Sequence, residues 1–408
     1  MRFVFLTQYF SPEIGAAPVR LTAIARELID LGHEVEVVTA LPNYPSGKIF
    51  PKYRHRLAMQ ETMDGIHIHR VWLYAANGAG LKRLLNYMSF TIASFWGLLR
   101  NRRPDYLFVE SPPLFLAIPG IMVARLWQVP MILNVADLWP DALSQIGILE
   151  DGLKLRLLEK LGGWAYCKCH LINTATEGIR QSLEKEKNVP SGKICLLPNG
   201  ADTTLFKPMP YNTLLAQELG INEKKVILYA GTHSLVSGMS IILKTALLLQ
   251  ERSDIVFVLI GDGPIKAALK AEAAKLGLQN VLFLEASPPD YIAKLYSITT
   301  VALSTLIDSI VLEGTRPAKI FPAMASGVPT LYSGYGEGAR LLEAAEGGIV
   351  IPPQDATALA QALVQLVDNP EICRQLGINA RRYIEAHLSW KVIVEHWLEY
   401  LLNHDTIH

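Results

Sequence analysis

The chain has 408 residues, which is too long for one hydrophobic core and, at about 150 residues per domain, indicates two domains. Its 38 basic and 38 acidic side chains cancel, so no overall field favours nucleic acid. Among its four cysteines, the Cys167-x-Cys169 pair beside His170 fits neither a zinc ribbon nor a redox Cys-x-x-Cys motif. With few cysteines and no signal-peptide pattern, we expect a metal-free cytoplasmic protein.

Apolar strands alternate with helical patterns through the first half of the chain. The first helix is predicted over residues 19–31. Strands are predicted at residues 3–7, 34–39, 66–71, 106–110, 131–135 and 170–173. This alternation predicts a doubly wound parallel sheet of an α/β protein.

An apolar segment, residues 84–99, bounded by Leu84 and Leu99, interrupts this alternation. It contains Phe, Trp and Tyr and is flanked by Lys82-Arg83 and by further arginines at 100, 102 and 103. Such a helix can lie in the headgroup region of an anionic membrane as a peripheral contact. The alternative is a core helix with solvated ends, and the segment is too short to span a bilayer.

The second half repeats the pattern of the first. A turn-rich linker, residues 197–208, separates them and suggests a hinge. Strands are predicted at residues 226–229, 256–260, 281–284, 300–303, 329–332 and 348–351, with helices at 241–250, 266–275, 318–325 and 356–368. We therefore predict domains at 1–197 and 198–385. Residues 386–408 contain a last helix whose apolar face needs a partner surface.

Small-residue loops follow predicted strands in both halves. Gly15 and Ala16 precede the first helix, where amides and the positive helix end could approach a phosphate. Gly261-Asp262-Gly263 closes a strand of the second sheet, where bare backbone could line a nucleotide. Either loop could instead be an ordinary turn, although the position of the 261–263 loop in the second sheet favours a nucleotide. No Gly-x-Gly-x-x-Gly follows either opening strand, which argues against NAD or FAD.

Charged residues gather at the start of a predicted helix in the second half. Glu313, Arg316 and Lys319 combine a carboxylate, a guanidinium and an ammonium. Cations at a helix N-terminus are disfavoured by the helix dipole unless an anion binds there. The cluster could therefore neutralise a diphosphate and stabilise it as a leaving group. The alternative is an exposed charged loop.

Two further polar residues follow strands. Asp137 comes after the strand at 131–135 and could orient an acceptor hydroxyl or take its proton, or else cap the next helix. Gly231, at the end of the strand pattern at 226–229, and His233 just after it are candidate nucleotide-binding residues, and His233 could donate to a phosphate or sugar oxygen, or be incidental.

Taken together, these segments resemble the family 4 glycosyltransferases over essentially the whole chain. The resemblance rests on the linker Pro198-Asn199-Gly200-x-Asp202-x-x-x-Phe206-x-Pro208, on Gly261-Asp262-Gly263-Pro264 and on Pro317-x-Lys319-Ile320-Phe321. The opening Tyr9-Phe10-Ser-Pro12-Glu13 and Asp137-Leu-Trp-Pro140 are most similar to the subgroup of N-acetyl-fucosamine transferases of surface-polysaccharide assembly.

The resemblance implies the GT-B fold, with two facing Rossmann-like domains, a cleft between them and a C-terminal helix that crosses back to the first domain. It implies a donor nucleotide on the second domain, an acceptor on the first and retention of anomeric configuration, generally without a metal. Gly15 would face the donor phosphates, Arg316 and Lys319 would hold the diphosphate, and the turn at 261–263 would line the nucleotide.

The chain departs from this family at two places. The family's paired glutamates, eight positions apart, would fall at Gly314, beside Glu313, and at Pro322, so no second carboxylate can bind ribose. The family also places Arg or Lys in the loop after the first strand of the donor domain, where this chain has Gly231-Thr-His233, and His233 would substitute.

These observations predict a retaining glycosyltransferase that moves a hexosyl or N-acetylhexosaminyl unit. The expected donor is a nucleotide diphosphate sugar, UDP-linked, acting as a substrate with no separate cofactor. The expected acceptor is a hydroxyl, lipid-linked at the membrane face, in polysaccharide or glycoconjugate synthesis. The alternatives are a sugar-nucleotide 2-epimerase of the same fold and a non-catalytic scaffold derived from a transferase.

Overall fold

The computed structural model describes residues 1–76, 80–139 and 152–407, with the side chains at 154, 311 and 405–407 excluded. Two compact units divide the chain. The N-terminal unit comprises Met1–Pro198 together with Ile393–His408, and the C-terminal unit comprises Asn199–Val392. Pro140, part of the Asp137-Leu-Trp-Pro motif, lies outside the described residues.

The N-terminal unit is built on an eight-stranded sheet in the order β3-β4-β2-β1-β5-β6-β7-β8. Its strands are β1 Arg2–Leu6, β2 Glu34–Ala40, β3 Ala58–Met63, β4 Ile66–Val71, β5 Tyr106–Ser111, β6 Met131–Val135, β7 Leu171–Thr174 and β8 Ile194–Leu196. All neighbours are parallel except β3, which pairs antiparallel with β4. The strand order reverses between β1 and β5, which creates a switch point at their carboxyl ends.

All six strands predicted in this half are confirmed, to within a residue or two at each end. The sequence did not indicate β3 and β8. β3 is polar and alternates in burial along an edge, while β8 has only 3 residues, so neither carries a sustained apolar run.

The helices cover this sheet with apolar faces. Those of the N-terminal unit are α1 Ala16–Asp30, α2 Leu81–Leu98, α3 Ala117–Trp127, α4 Leu153–Lys168 and α5 Glu177–Lys185. In α2, Phe90 and Leu98 are fully buried in the core, whereas Ile92 and Trp96 are each 63% exposed. One face of α2 therefore packs on the sheet and the other meets solvent. Among the residues that the structure describes, no helix is both long and apolar enough to cross a bilayer.

The C-terminal unit contains a six-stranded parallel sheet in the order β11-β10-β9-β12-β13-β14. Its strands are β9 Lys225–Ala230, β10 Ile255–Ile260, β11 Val281–Leu284, β12 Thr299–Thr305, β13 Thr330–Ser333 and β14 Gly348–Ile351. Its helices are α6 Thr213–Glu218, α7 Ser240–Leu248, α8 Lys266–Lys275, α9 Pro289–Tyr296, α10 Ile320–Ala325, α11 Glu337–Ala344, α12 Ala356–Val367 and α13 Pro370–Tyr383. This is the Rossmann strand order, with its switch point between β9 and β12.

The last helix, α14, spans Trp390–Ile407 and belongs from Ile393 onward to the N-terminal unit. Its Trp397 is 1% exposed and lies with its ring centroid 5.9 Å from those of Phe3 on β1 and Phe108 on β5. The indole Nε1 donates to Asn173 Oδ1 at 3.0 Å. The apolar face of α14 thus covers the N-terminal sheet.

The linker beyond Pro198 is fixed within the C-terminal unit. Asp202 Oδ1 accepts from the amides of Thr204 and Leu205 at 3.0 and 2.9 Å, which forms a side-chain-stabilised turn. Arg381 on α13 donates to the carbonyl of Phe206 at 2.8 Å. The segment is therefore held by its own unit and is not a free tether.

Candidate active site

The loops after β9 and β10 pack directly against each other at the carboxyl edge of the C-terminal sheet. A Cβ on Gly261 would lie 2.0 Å from the carbonyl oxygen of Gly231, and one on Gly263 would lie 2.3 Å from that of His233. The backbone φ angles of Gly261 and Gly263 are 142° and 156°, values that residues with a side chain rarely adopt. Glycine is therefore needed at 261 and 263 because the two loops pack so closely that a side chain would not fit. Asp262, between the two glycines, is exposed.

His233 is fully buried at this junction. Its amide donates to the carbonyl of Asp262 at 2.9 Å, and its ring lies 5.9 Å from that of Tyr229. Neither ring nitrogen has a hydrogen-bond partner among the described residues. Burial, reinforced by the Lys266 cation, lowers the pKa of His233 to about 4. The imidazole is therefore neutral near pH 7 and retains one N–H donor, and it does not replace the cation that the family places here.

Lys266, at the start of α8, ties this loop down. Its Nζ donates to the carbonyls of Gly261 and Leu284 at 2.8 and 3.0 Å and to the Glu285 carboxylate at 2.8 Å. All three ammonium donors are used, so Lys266 acts on the position of the loop. In the sequence, the only indication of this role was the position of Lys266 at the start of a predicted helix, just after the 261–263 glycine turn.

Lys319 brings a cation to the same edge. Its Nζ lies 5.0 Å from the centre of the Tyr229 ring, and its Cε is the atom that a Cβ on Gly231 would meet, at 3.2 Å. In the part of the chain that the structure describes, Lys319 forms no ion pair. The structure therefore places Lys319 beside the exposed backbone of Gly231, with its charge uncommitted. Tyr229 was not singled out from the sequence, since it reads as an ordinary strand residue.

Arg316 is committed to a buried partner. Its Nε donates to Glu337 Oε2 at 2.8 Å, and the Glu337 side chain is 3% exposed. Glu337 is the first residue of α11 and follows Gly336, whose Cβ would lie 2.0 Å from the carbonyl oxygen of Glu313. The Glu313 side chain is exposed. The segment at 334–338, which includes the start of α11, thus holds the 313–316 segment, and its Gly-Tyr-Gly-Glu-Gly sequence was the signal available in the sequence.

At the carboxyl edge of the N-terminal sheet, Gly15 and Ala16 form the start of α1. Gly15 precedes the helix in an extended conformation, and a Cβ there would meet the Tyr44 ring at 3.3 Å. The first turn of α1 has no acidic residue and no side-chain cap, so its amides are not capped from within. The prediction that this loop meets a phosphate stays a prediction.

A buried charge network lies beside that loop. Arg20 on α1 pairs with Glu110 of β5, and Asn134 Nδ2 donates to the same carboxylate at 2.7 Å. Burial raises the pKa of Glu110, and Arg20 opposes that rise. Asp137 keeps exposed surface after β6; desolvation by the protein around it raises the pKa of its carboxyl, and Arg20 lowers it. Arg20 therefore stabilises both carboxylates, a role that the sequence did not reveal.

Glu13 was noted in the sequence only as the last residue of the Tyr9-Phe10-Ser-Pro12-Glu13 motif, without a role of its own. It is 4% exposed and accepts from the amides of Asn43 at 2.7 Å, Tyr44 at 2.8 Å and Phe10 at 3.2 Å. Burial raises the pKa of Glu13 to about 7 against these hydrogen bonds. The carboxyl thereby fixes Tyr44 next to Gly15.

Two family models match the chain in tandem. Residues 15–200 match the glycosyl transferase 4-like domain, and residues 212–383 match the glycosyl transferases group 1. The chain belongs to the GT-B glycosyltransferases. The predicted fold class, GT-B with two Rossmann-like doubly wound domains, is confirmed by this match and by the two sheets, parallel except at the β3 edge, with reversed strand order. Within the described residues, no group of three or more His, Cys, Asp or Glu side chains is arranged to hold a metal ion.

Some relatives of this glycosyltransferase align with nearly its whole length. It is 25% identical over 401 residues to the putative colanic acid biosynthesis glycosyl transferase WcaI of Escherichia coli K12, covering 95% of this chain and 97% of the relative. The sucrose-phosphate synthase of Thermosynechococcus elongatus superposes with a TM-score of 0.75 at 16% identity over 100% of both chains. Anabaena HepE, in complex with UDP and glucose, superposes with a TM-score of 0.74 at 18% identity over 98% of both chains.

Proposed function

We propose that this glycosyltransferase transfers a hexosyl or N-acetylhexosaminyl unit from a UDP-linked sugar to a hydroxyl acceptor, with retention of configuration and without a metal. The observation that carries the proposal is the uncommitted Lys319 ammonium beside the Gly231 backbone, at the carboxyl edge of the switch-point strand β9. Anions bind at this edge of Rossmann-like sheets. The UDP and glucose bound by Anabaena HepE support a UDP-linked donor.

The chemistry assigned to these residues is leaving-group stabilisation. As the bond between the anomeric carbon and the diphosphate oxygen breaks, negative charge grows on the diphosphate, and Lys319 is positioned to neutralise it. Arg316 donates its Nε–H to Glu337, and its terminal N–H groups would donate to a second phosphate oxygen. The 261–263 turn would line the nucleotide, with the buried, neutral His233 imidazole behind it, and the exposed Glu313 carboxylate would face the sugar.

The acceptor side of the proposal rests on the N-terminal unit. Asp137 would orient the acceptor hydroxyl or take its proton as the new glycosidic bond forms. Gly15 and Ala16 would present helix-end amides to the donor phosphates. The relative WcaI is named as a putative colanic acid biosynthesis glycosyl transferase, which supports a place in polysaccharide synthesis. The place among the N-acetyl-fucosamine transferases rests only on the resemblance of the motifs at 9–13 and 137–140.

Nucleotide binding and turnover test this proposal separately. Thermal shift with UDP, GDP, ADP and their glucose conjugates identifies the base, because a ligand of the folded state raises apparent stability. Lys319→Ala is expected to cut turnover about a hundredfold or more with little change in melting temperature. Lys270→Ala, at an exposed lysine on α8, serves as the matched control. Wild-type turnover in Lys319→Ala refutes the assignment, and no shift with any nucleotide favours a non-catalytic scaffold.

We also propose that the N-terminal unit lies on an anionic membrane surface. On α2, the exposed apolar side chains of Leu85, Ile92 and Trp96 are spaced by seven and four residues, which puts them on one side of the helix. The neighbouring helix α3 packs between α2 and α4. These three helices expose Leu85, Ile92 and Trp96, then Met122 and Leu126, then Leu157. Basic residues lie among them on the same helices: Lys82, Arg125, Arg156 and Lys160 are exposed. Apolar side chains interspersed with cations match an anionic headgroup layer.

Vesicle flotation of the full chain tests this contact. The protein is expected to float with phosphatidylglycerol vesicles at low salt and to be released by high salt, since screening weakens the ionic part. A double variant, Ile92→Ser with Trp96→Ser, should lose flotation, while Leu248→Ser, 56% exposed on the C-terminal unit, should not. Failure of the wild-type chain to float with anionic vesicles overturns the contact.

A further inference from the structure

A row of aromatic rings follows the carboxyl ends of the N-terminal strands. Tyr9 comes after β1 and Tyr44 after β2, with ring centroids 5.5 Å apart at an interplanar angle of 62°. Phe115 follows β5 and Trp139 follows β6, with centroids 5.6 Å apart at 66°. Because these strands are parallel, the residues after them meet at one edge of the sheet. None of these rings has a place in the proposed transfer chemistry.

Arg83, in the first turn of α2, joins the two pairs of rings. Its Cζ lies 5.9 Å from the centre of the Tyr9 ring and 4.7 Å from that of Tyr87, and its Nε donates to the Tyr87 hydroxyl at 2.8 Å. The Tyr87 ring lies 6.2 Å from that of Phe115. The row therefore runs without a break from Tyr44 to Phe115 and has one cation in its middle.

The charge of Arg83 is not balanced by the described part of the protein. The residue is half-buried, yet no described carboxylate forms an ion pair with it. It also stands in the first turn of a helix whose positive end has no acidic residue, an unfavourable position for a cation without an anion nearby. Partly buried guanidinium groups are normally paired, and their planar fork suits a phosphate.

A second unsatisfied group lies next to Tyr9. Gln8 is fully buried, and its Nε2 donates to Asn86 Oδ1 at 2.7 Å and lies 3.3 Å from the Tyr9 hydroxyl. Its Oε1 has no hydrogen-bond donor among the described residues. A buried acceptor without a donor is costly, so the protein around the Tyr9 ring lacks one hydrogen bond in its present arrangement.

We propose that this row, named here the aromatic–arginine row and comprising Tyr44, Tyr9, Arg83, Tyr87 and Phe115, binds the glycosyl acceptor as a sugar that carries a phosphate or diphosphate. The C–H faces of the sugar ring pack against the tyrosines, and the phosphate pairs with Arg83. The inference rests on the proposed function, because it names the chemical class of the acceptor. A lipid-linked sugar diphosphate and a free sugar phosphate share this chemistry, and α2 carries both Arg83 and the exposed apolar face.

Binding to the full chain by isothermal titration tests the row. The probes are glucose 1-phosphate, uncharged methyl glucoside, and a short-chain polyprenyl diphosphate monosaccharide in detergent micelles. We expect phosphorylated probes to bind and methyl glucoside to bind at least tenfold more weakly. Arg83→Gln is expected to weaken the phosphorylated probes about ten- to a hundredfold, in line with a charge-assisted hydrogen bond. Arg83→Lys, which keeps the charge but not the fork, should fall between.

Two comparisons separate this proposal from other failures. Arg180→Gln, at an α5 arginine that is 39% exposed and pairs with Glu184, is the matched control and should bind like the wild type. UDP binding, measured in parallel, should be unchanged in Arg83→Gln. If the wild type does not bind UDP, the proposed function is refuted. If the wild type binds UDP but none of the phosphorylated probes, only the proposal for the aromatic–arginine row is overturned. Binding of the lipid-linked probe alone supports the row and identifies a lipid-linked sugar diphosphate as the acceptor. Binding of glucose 1-phosphate, alone or with the lipid-linked probe, supports the row and shows that a sugar phosphate without lipid is enough.

Discussion

Replacement of Glu13 by glutamine is expected to remove a pH dependence of stability that one buried carboxyl creates. Burial raises the pKa of Glu13 from 4.5 to about 7, although three backbone amides donate to it. The unfolded chain releases this proton near the ordinary value, whereas the folded chain holds it to about 7. Between these values the folded state binds more protons, so the free energy of unfolding falls as pH rises.

The magnitude follows from the same pKa difference. One pH unit corresponds to about 1.4 kcal/mol, so the wild type loses about 3 kcal/mol of stability across this window. Glutamine keeps one oxygen for the amides of Asn43 and Tyr44 but turns N–H groups toward the Phe10 amide. That lost acceptor costs about 1 kcal/mol at every pH and does not change the slope.

Urea unfolding of the full chain, with hydrogen exchange at the amides of Phe10, Asn43 and Tyr44, measures the effect in the N-terminal unit. The stability of Glu13→Gln relative to wild type should rise by about 2.5 kcal/mol between about pH 5 and about pH 8, since part of the effect lies below pH 5. Glu343→Gln, at an exposed carboxylate on α11, is the control and should show no such change. A Glu13→Gln difference that stays constant across this range would refute the raised pKa.

Three further substitutions test packing in both units by urea unfolding. Gly263→Ala should cost about 3 kcal/mol or more, because its Cβ would lie 2.3 Å from a carbonyl oxygen; Gly277→Ala, with no atom within 4 Å, should cost about 1 kcal/mol, and equal losses would contradict the contact. Glu337→Gln should cost about 3 kcal/mol by leaving Arg316 unpaired, and an unchanged midpoint would show that the pair contributes nothing. Trp397→Phe should cost about 2 kcal/mol or more, through the lost indole hydrogen bond and the cavity left at this fully buried site, so wild-type stability would argue against both.

Much of the framework could be predicted from the sequence because parallel strands buried on both faces are continuous apolar runs. The six strands of the C-terminal sheet and six of those in the N-terminal sheet were located this way. β3 was not predicted because an antiparallel edge strand needs no continuous apolar run. Its polar residues form a strand only by pairing with β4. Family motifs supplied the rest of the framework, including the tandem arrangement that the two domain matches support.

The candidate site was predictable only in parts. Glycines and cations after strands pointed to Gly231, the 261–263 turn and Lys319, since the carboxyl edge of a parallel sheet is fixed by topology. Which charges remain available depended on distant partners. Arg316 is paired by Glu337, 21 residues further along, whereas Lys319 faces the Tyr229 ring.

The sequence by itself determined the strand runs, the loops that could meet a phosphate and the cations near them, because these are local properties of composition and spacing. Only the tertiary structure decided that His233 is buried and neutral, that the glycines at 261 and 263 accommodate another loop, and that Arg83 lies between two tyrosines. Burial, pKa and ion pairing depend on what surrounds a group in space, and residues far apart in the chain supply those surroundings.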